Sequence, residues 1–191
     1  MTRCSAYIAS SIDGFIAGPD GGIEWLHRPA YAPSPELGLT YKKFISTVDA
    51  LVMGRNSFTT VSSFKQWPYE GTPVVVLTGR AVEIPGPLQG KVRVDGGRPQ
   101  DIVARLAAVG CRHLYVDGGN TIQRFLQARL INEIAITRIP ILLGGGIQLF
   151  GALGVELPLR LLGTAVVGDG LVQDRYEVVY PADGRARGRT G

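Results

Sequence analysis

Apolar residues along the chain occur in short blocks broken by glycine, proline and charged positions, and the blocks are of two kinds. In the first the apolar side chains are consecutive or nearly so: Tyr7-Ile8-Ala9 within Arg3–Ser10, then Asp49–Met53, Thr72–Leu77, Lys91–Val94, Leu114-Tyr115-Val116 and Glu133–Pro140. Such blocks have the length and the β-branched content of strands covered on both faces. In the second kind the apolar residues recur at helical spacing, as with Ile102, Val103, Leu106 and Val109 in Arg98–Val109, and with Ile122, Phe125 and Leu126 after Asn120. These are amphipathic helices. A further helix is expected from Ser34 to about Thr47, where Ser34 would cap, Pro35 would take the first helical position and Glu36 would complement the dipole. Leu37, Tyr41, Phe44 and Ile45 would form its buried face.

Strands thus alternate with helices, the order that builds a parallel sheet. From Leu159 the pattern changes. Leu159–Val167 and Leu171–Tyr180 flank Gly168-Asp169-Gly170, a hairpin signal, so the chain is expected to close in antiparallel strands. The reading is a mixed, mostly parallel α/β sheet in one domain, residues 1–182, without internal repeat or linker, followed by a basic tail, residues 183–191.

Three strand ends carry groups that suit an anion. Gly54-Arg55-Asn56-Ser57 joins a glycine to a fixed positive charge and small hydrogen-bonding side chains, Thr78-Gly79-Arg80 repeats the combination, and Asp117-Gly118-Gly119-Asn120 opens a helix. A helix start offers free amides and the positive end of a dipole, and glycine lets a phosphate approach the main chain. In a parallel sheet all three would lie at one edge, where open α/β folds bind ligands. The loop Gly18–Gly22, leading to an exposed-looking Trp25, is long enough to be functional.

Composition narrows the class. At 45% hydrophobic and 19% charged residues the chain is of the globular kind, with no apolar run near the ~18 residues of a membrane span and no secretory pattern at the N-terminus, so a cytoplasmic protein is expected. Cys4 and Cys111 lie in or beside apolar segments and read as reduced thiols, and His27 and His113 fall in no ligand-like cluster, so no metal site is expected. The formal charge is +4, but Arg185, Arg187 and Arg189 lie in the tail and the body is nearly neutral. A solvated terminus is expected there rather than a nucleic-acid surface.

Two nucleotide motifs fail. Gly118-Gly119 does not complete the G-x-G-x-x-G of a Rossmann fold, and Gly144-Gly145-Gly146 lacks the Lys-Ser/Thr of a P-loop. What the chain resembles, from Tyr7 to about Tyr180, is the dihydrofolate reductase fold, in the branch of the C-terminal reductase domain of bifunctional riboflavin-biosynthesis deaminase-reductases. The resemblance rests on four motifs in order: Ala9-Ser10-Ser11-Ile12-Asp13-Gly14-Phe15-Ile16-Ala17-Gly18, Met53-Gly54-Arg55-Asn56-Ser57-Phe58, Val116-Asp117-Gly118-Gly119-Asn120-Thr121 and Ile139-Pro140-Ile141-Leu142-Leu143-Gly144-Gly145-Gly146.

This resemblance implies a three-layer fold with helices on both faces of the sheet, a homodimer, and an NADPH-dependent reductase similar to 5-amino-6-(5-phosphoribosylamino)uracil reductase. Ala9 and Ile16 would hold the nicotinamide carboxamide, and Gly54, Arg55, Asn56 and Ser57 would cradle phosphate. Thr78, Gly79 and Arg80 would surround the adenosine ribose, and Gly118, Gly119, Asn120, Thr121 and Ile122 would bind the pyrophosphate. Arg55 and Arg80 favour NADPH over NADH because a 2′-phosphate needs cationic partners. A proton must accompany the hydride. Dihydrofolate reductases use a carboxylate on the first helix, a place that falls near Gly38 here; the acids at hand are Glu36 and Asp13, while Trp25 and Tyr41 are candidates for the substrate wall. A weak dihydrofolate reductase and a non-catalytic NADPH-binding module stand as alternatives.

Overall fold

A run of buried residues at β1 (Arg3–Ser11) forms the middle of the molecule. The computed structural model describes residues 1–181, so the expected boundary at residue 182 and the tail 183–191 lie outside the described residues. After β1 come β2 (Phe15–Ala17), α1 (Tyr41–Ile45), β3 (Ala50–Gly54), α2 (Arg55–Ser62), β4 (Val74–Leu77), β5 (Val92–Asp95) and α3 (Pro99–Ala108). The second half holds β6 (His113–Asp117), α4 (Gly119–Gln127), β7 (Ile131–Ile139), β8 (Ile147–Gln148), β9 (Leu159–Gly168) and β10 (Leu171–Val178).

Eight strands form one sheet in the order β5-β4-β3-β6-β1-β7-β10-β9, and β2 pairs with β8 in a small second sheet. From β5 to β7 every pairing is parallel; β10 runs antiparallel to both β7 and β9. The hairpin joins Gly168 to Leu171 through Asp169 and Gly170, and Gly170 has φ +70°, the left-handed conformation that a tight turn needs there. The mixed, mostly parallel sheet read from the sequence is therefore the one that forms.

Two apolar layers cover the central strands. Phe44 of α1 and Phe58 and Val61 of α2 pack with Leu51, Met53, Val74, Val76 and Tyr115 on one face. Ile102 and Leu106 of α3 and Ile122, Phe125 and Leu126 of α4 pack with Cys4, Ala6, Val52, Val75, Leu114 and Val116 on the other. The continuous apolar runs at β3 and β4 follow directly, since each residue meets one layer or the other. Among the described residues no helix is long and apolar enough to cross a membrane.

The expected helix from Ser34 does not form. Residues 35–39 are a bend, and α1 begins only at Tyr41, capped by the Thr40 hydroxyl, which accepts from the Lys43 amide at 3.2 Å. The reason lies in the sheet. Gln173 of β10 accepts from the Leu39 amide at 2.7 Å and donates to the Leu39 carbonyl at 3.0 Å, and Gly38 turns at φ +66° to make that possible. Backbone groups claimed by Gln173 cannot join a helical ladder. Leu37 is accordingly exposed rather than on a buried face.

A side chain at Gly38 would sit 2.7 Å from Val167 Cγ1 and 2.8 Å from Gln173 Oε1 in a conformation that L residues rarely adopt. Gly38→Ala is expected to destabilise the protein by about 2 kcal/mol, seen as a lower denaturation midpoint in urea with unchanged slope.

Candidate cofactor and substrate cleft

Strands β3 and β6 lie side by side with Met53 opposite Asp117, so the helices that follow them start next to one another. The two starts interlock. A Cβ on Gly54 would lie 3.1 Å from the Thr121 hydroxyl, and one on Gly118 would run into the Ser57 hydroxyl. Gly118 has φ +86°, so both conformation and space select glycine there. Neither α2 nor α4 has a side-chain cap or an acidic residue in its first turn. The leading amides of two helices therefore converge, with both dipoles positive at one place.

This junction opens on a cleft of about 1190 Å³. Of the residues singled out from the sequence, Ala9, Ile16, Tyr41, Gly54, Arg55, Asn56, Ser57, Gly118, Gly119, Asn120 and Thr121 line it. One wall is closed by β2 and β8: Gly119 packs so near Ile16 Cδ1 and the Gln148 carbonyl that a Cβ would lie 3.1 and 3.0 Å from them.

Other candidates lie elsewhere. The Ile122 side chain is fully buried in the core, and its amide already donates to the Gly118 carbonyl at 2.9 Å. Thr78, Gly79 and Arg80 form a turn beyond the lining, in which the Arg80 amide donates to the Thr78 hydroxyl at 3.0 Å. Glu36 sits on the exposed bend that replaces the expected helix start. Trp25, expected to be exposed, is only 6% accessible and packs with Ile139, Val167 and Leu171 beneath the β9–β10 hairpin. The Asp13 carboxylate receives the Ser11 hydroxyl at 2.6 Å and the amides of Leu143 and Gly144 at 3.2 and 2.8 Å. That hydroxyl and those amides hold its carboxyl below the usual carboxylate range and tie the loop after β1 to the loop before β8.

The cleft instead contains an acid that the sequence reading did not single out. Asp117, the last residue of β6, lies at the cleft floor beside Tyr7, Tyr41, Tyr69 and Tyr115. Burial pushes its carboxyl up to about 6, against the opposing pull of the Gly118 amide and the Tyr115 hydroxyl. That hydroxyl donates to the Tyr7 carbonyl at 2.8 Å and lies 3.4 Å from the Asp117 carboxyl. Burial and then the charge of Asp117 push the Tyr41 phenol up to about 12, and the same two causes act in the same direction on Tyr69. Tyr7 stacks on Phe44 with centroids 4.9 Å apart and meets Tyr41 edge-on at 5.9 Å. A signal did exist. An acid ending an otherwise apolar strand, just before two glycines, is a carboxyl that the fold must partly desolvate.

The profile of the RibD C-terminal domain family matches residues 5–173. The chain belongs to that family. The uncharacterized protein YwjB of Bacillus subtilis is 33% identical over 168 residues, covering 86% of this chain and 92% of its own. A solved structure from Shewanella sp. PV-4, of a protein named for a proposed part in riboflavin biosynthesis, is 42% identical with a TM-score of 0.85, covering 94% of this chain and all of that one. Dihydrofolate reductase from Enterococcus faecalis, complexed with NADP(H) and RAB-propyl, superposes with a TM-score of 0.63 at 17% identity over 92% of this chain and 96% of its own, a likeness of fold. The RibD C-terminal domain here is thus a reductase-type domain with the dihydrofolate reductase-like fold.

A carboxyl whose folded value is raised opposes stability once the pH is high enough to ionise it. The folded state holds the proton up to about 6, the unfolded state only to about 3.8, so stability declines between those values and the deficit persists above them. Asp117→Asn is therefore expected to stabilise the domain by about 1–3 kcal/mol at pH 7.5. The gain should vanish near pH 3.5, which denaturant titrations at the two pH values would show.

Proposed function

We propose that this domain is an NADPH-dependent reductase that delivers hydride to a small heterocyclic, imine or carbonyl substrate, a reaction similar in kind to that of 5-amino-6-(5-phosphoribosylamino)uracil reductase. The observation that carries the reading is the pair of uncapped helix starts on adjacent strands, directly beside a partly buried acid. The glycine cradle fits a pyrophosphate: Gly54, Ser57, Gly118, Gly119, Asn120 and Thr121 would hold it by main-chain amides and hydroxyls. Arg55, the first residue of α2, would meet the 2′-phosphate, with Thr78, Gly79 and Arg80 at the adenosine end, and Ala9 and Ile16 would hold the carboxamide.

Bound there, NADPH supplies a hydride from nicotinamide C4. The chain's own part is to orient, to exclude water and to handle a proton. Tyr7, Tyr41 and Tyr69 wall the substrate end. Asp117, protonated at one carboxyl oxygen, donates to the substrate atom that gains basicity as the neighbouring carbon is reduced. The Tyr115 hydroxyl, 3.4 Å away, and the Gly118 amide favour the ionised state of that carboxyl. This role favours an enzyme over a binding module, since an acid held with a raised proton affinity weakens the fold at neutral pH and binding NADPH does not call for one. A dihydrofolate reductase that relies on Glu36 is disfavoured by the position of that residue on an exposed bend outside the cleft.

We also propose that two copies pair, as the family resemblance implies. Leu159, Leu161, Leu162 and Val166 are exposed on the edge strand β9, and an apolar sheet edge is a ready surface for a second copy related by a twofold axis.

At one hundred times its dissociation constant NADPH should stabilise the domain by about 2.7 kcal/mol in a thermal-shift titration. NADH should do less, and Arg55→Gln should close the difference. Absence of any shift with NADPH would refute the proposal. Turnover should decline as the pH rises through about 6, because Asp117 then loses the proton it must give; Asp117→Asn should keep NADPH affinity and lose turnover by about 100-fold or more.

A further inference from the structure

Gln173 is a polar side chain, only 4% exposed, that stands on β10 and does not line the cleft. A side-chain amide is buried where its hydrogen bonds are met. Its Oε1 accepts from the Leu39 amide at 2.7 Å, and its Nε2 donates to the Leu39 carbonyl at 3.0 Å and to the Thr137 hydroxyl at 3.3 Å. The Tyr7 hydroxyl, 3.4 Å from the same Nε2, donates to the Leu39 carbonyl at 2.9 Å. Gln173 thus holds Leu39 by amide and carbonyl together, as a neighbouring strand would.

Little else fixes the chain there. Among the described residues, the hydrogen bonds that tie residues 35–39 to distant parts of the chain go to Gln173 and Tyr7. A hollow of about 250 Å³, lined by Leu39, Thr164, Gln173 and Arg175 among others, lies between this bend and the β9–β10 hairpin, so packing on that side is incomplete. Thr40 then caps α1, and Tyr41 opens it two residues after Leu39. A helix of five residues does not hold its place by its own ladder. Its far end is tied by His113, whose Nδ1 lies 2.9 Å from the Thr47 carbonyl, and its near end by Gln173. Tyr41 therefore enters the cleft at a place set by Leu39, and there it meets Tyr7 edge-on.

Resting on the reductase reading above, in which Tyr7 and Tyr41 wall the substrate end, we infer that Gln173 is a positioning residue for the substrate: from outside the cleft it fixes Leu39, and through Leu39 the rings of Tyr7 and Tyr41. None of its hydrogen-bond partners belongs to the glycine junction of α2 and α4. Loss of this amide should therefore impair the handling of substrate and spare the binding of cofactor. A displacement of ~1 Å in an orienting group can cost about 100-fold in rate.

The test uses the full-length protein with isotope-labelled tyrosine rings, the Tyr41 signal being identified by its loss in Tyr41→Phe. Gln173→Met removes both bonds to Leu39, and Gln173→Glu keeps an acceptor for its amide while removing the donor to its carbonyl. Ile102→Val, a cavity under α3 on the opposite face of the sheet, supplies a destabilised control. The Tyr41 ring signal is expected to shift or broaden in both Gln173 variants and to stay in place in Ile102→Val. With 5-amino-6-(5-phosphoribosylamino)uracil and saturating NADPH, kcat/KM should fall about tenfold or more in Gln173→Met, while the NADPH dissociation constant changes less than about twofold. Gln173→Met combined with Tyr41→Ala should lose clearly less than the product of the two single losses. A Tyr41 signal unmoved in both Gln173 variants overturns the inference, as does a kinetic loss shared by Ile102→Val, a parallel loss of NADPH affinity, or a double variant whose losses multiply. In each of those cases the wild type still binds and oxidises NADPH and the reductase reading stands. Failure of the wild type to bind NADPH, or to oxidise it with this compound, counts against that reading and removes this inference with it.

Discussion

The parallel pairing of β3 with β6 is the constraint on which the candidate site depends. With Met53 opposite Asp117, Gly54 and Gly118 come level, and each packs against a hydroxyl of the other's helix, Thr121 and Ser57. A shift of β3 by one residue would turn Met53 away from the face it shares with Asp117 and separate the two helix starts. The central hydrophobic layers hold this register: Leu51, Met53 and Tyr115 are buried on one face, Val52 and Val116 on the other. Core packing and the meeting of the two helix starts therefore rest on the same pairing.

A second tension lies at the carboxyl ends of these strands. Asp117 is drawn into a desolvated position by the strand that carries it, and among the described residues only a long hydrogen bond from Tyr115 and the Gly118 amide oppose its rise. Asp13 shows the contrast, since three donors fix it as a carboxylate where the loops before β2 and β8 meet. Two acids of one type thus sit in different states, one fixed as a carboxylate and one raised in proton affinity, according to what surrounds them.

Much of this was legible before any coordinates. The β3 and β4 runs, the helices α3 and α4, and the turn Asp169-Gly170 all follow from local pattern, because the continuous apolar runs, the helical spacing and the turn glycine each have one strong structural solution. The glycine junctions at Gly54 and Gly118 were legible for the same reason. What escaped was non-local. Ser34-Pro35-Glu36 has good local helix signals, yet Gln173, more than 130 positions away in sequence, claims the backbone of Leu39 and Gly38 turns the chain. Trp25 looked exposed within a glycine-rich loop and is instead the centre of a small core formed with residues of β7, β9 and β10.

The sequence by itself thus determined the order of elements, the mixed sheet, and the glycines that open the approach to the two helix starts, since these depend on spacing and on backbone conformation. Only the tertiary structure decided which polar residue would be desolvated beside that approach and which would be neutralised by neighbours. Burial and hydrogen bonding set a carboxyl's chemistry, and both come from residues distant in the chain: Tyr7 and Tyr41 around Asp117, Leu143 and Gly144 around Asp13.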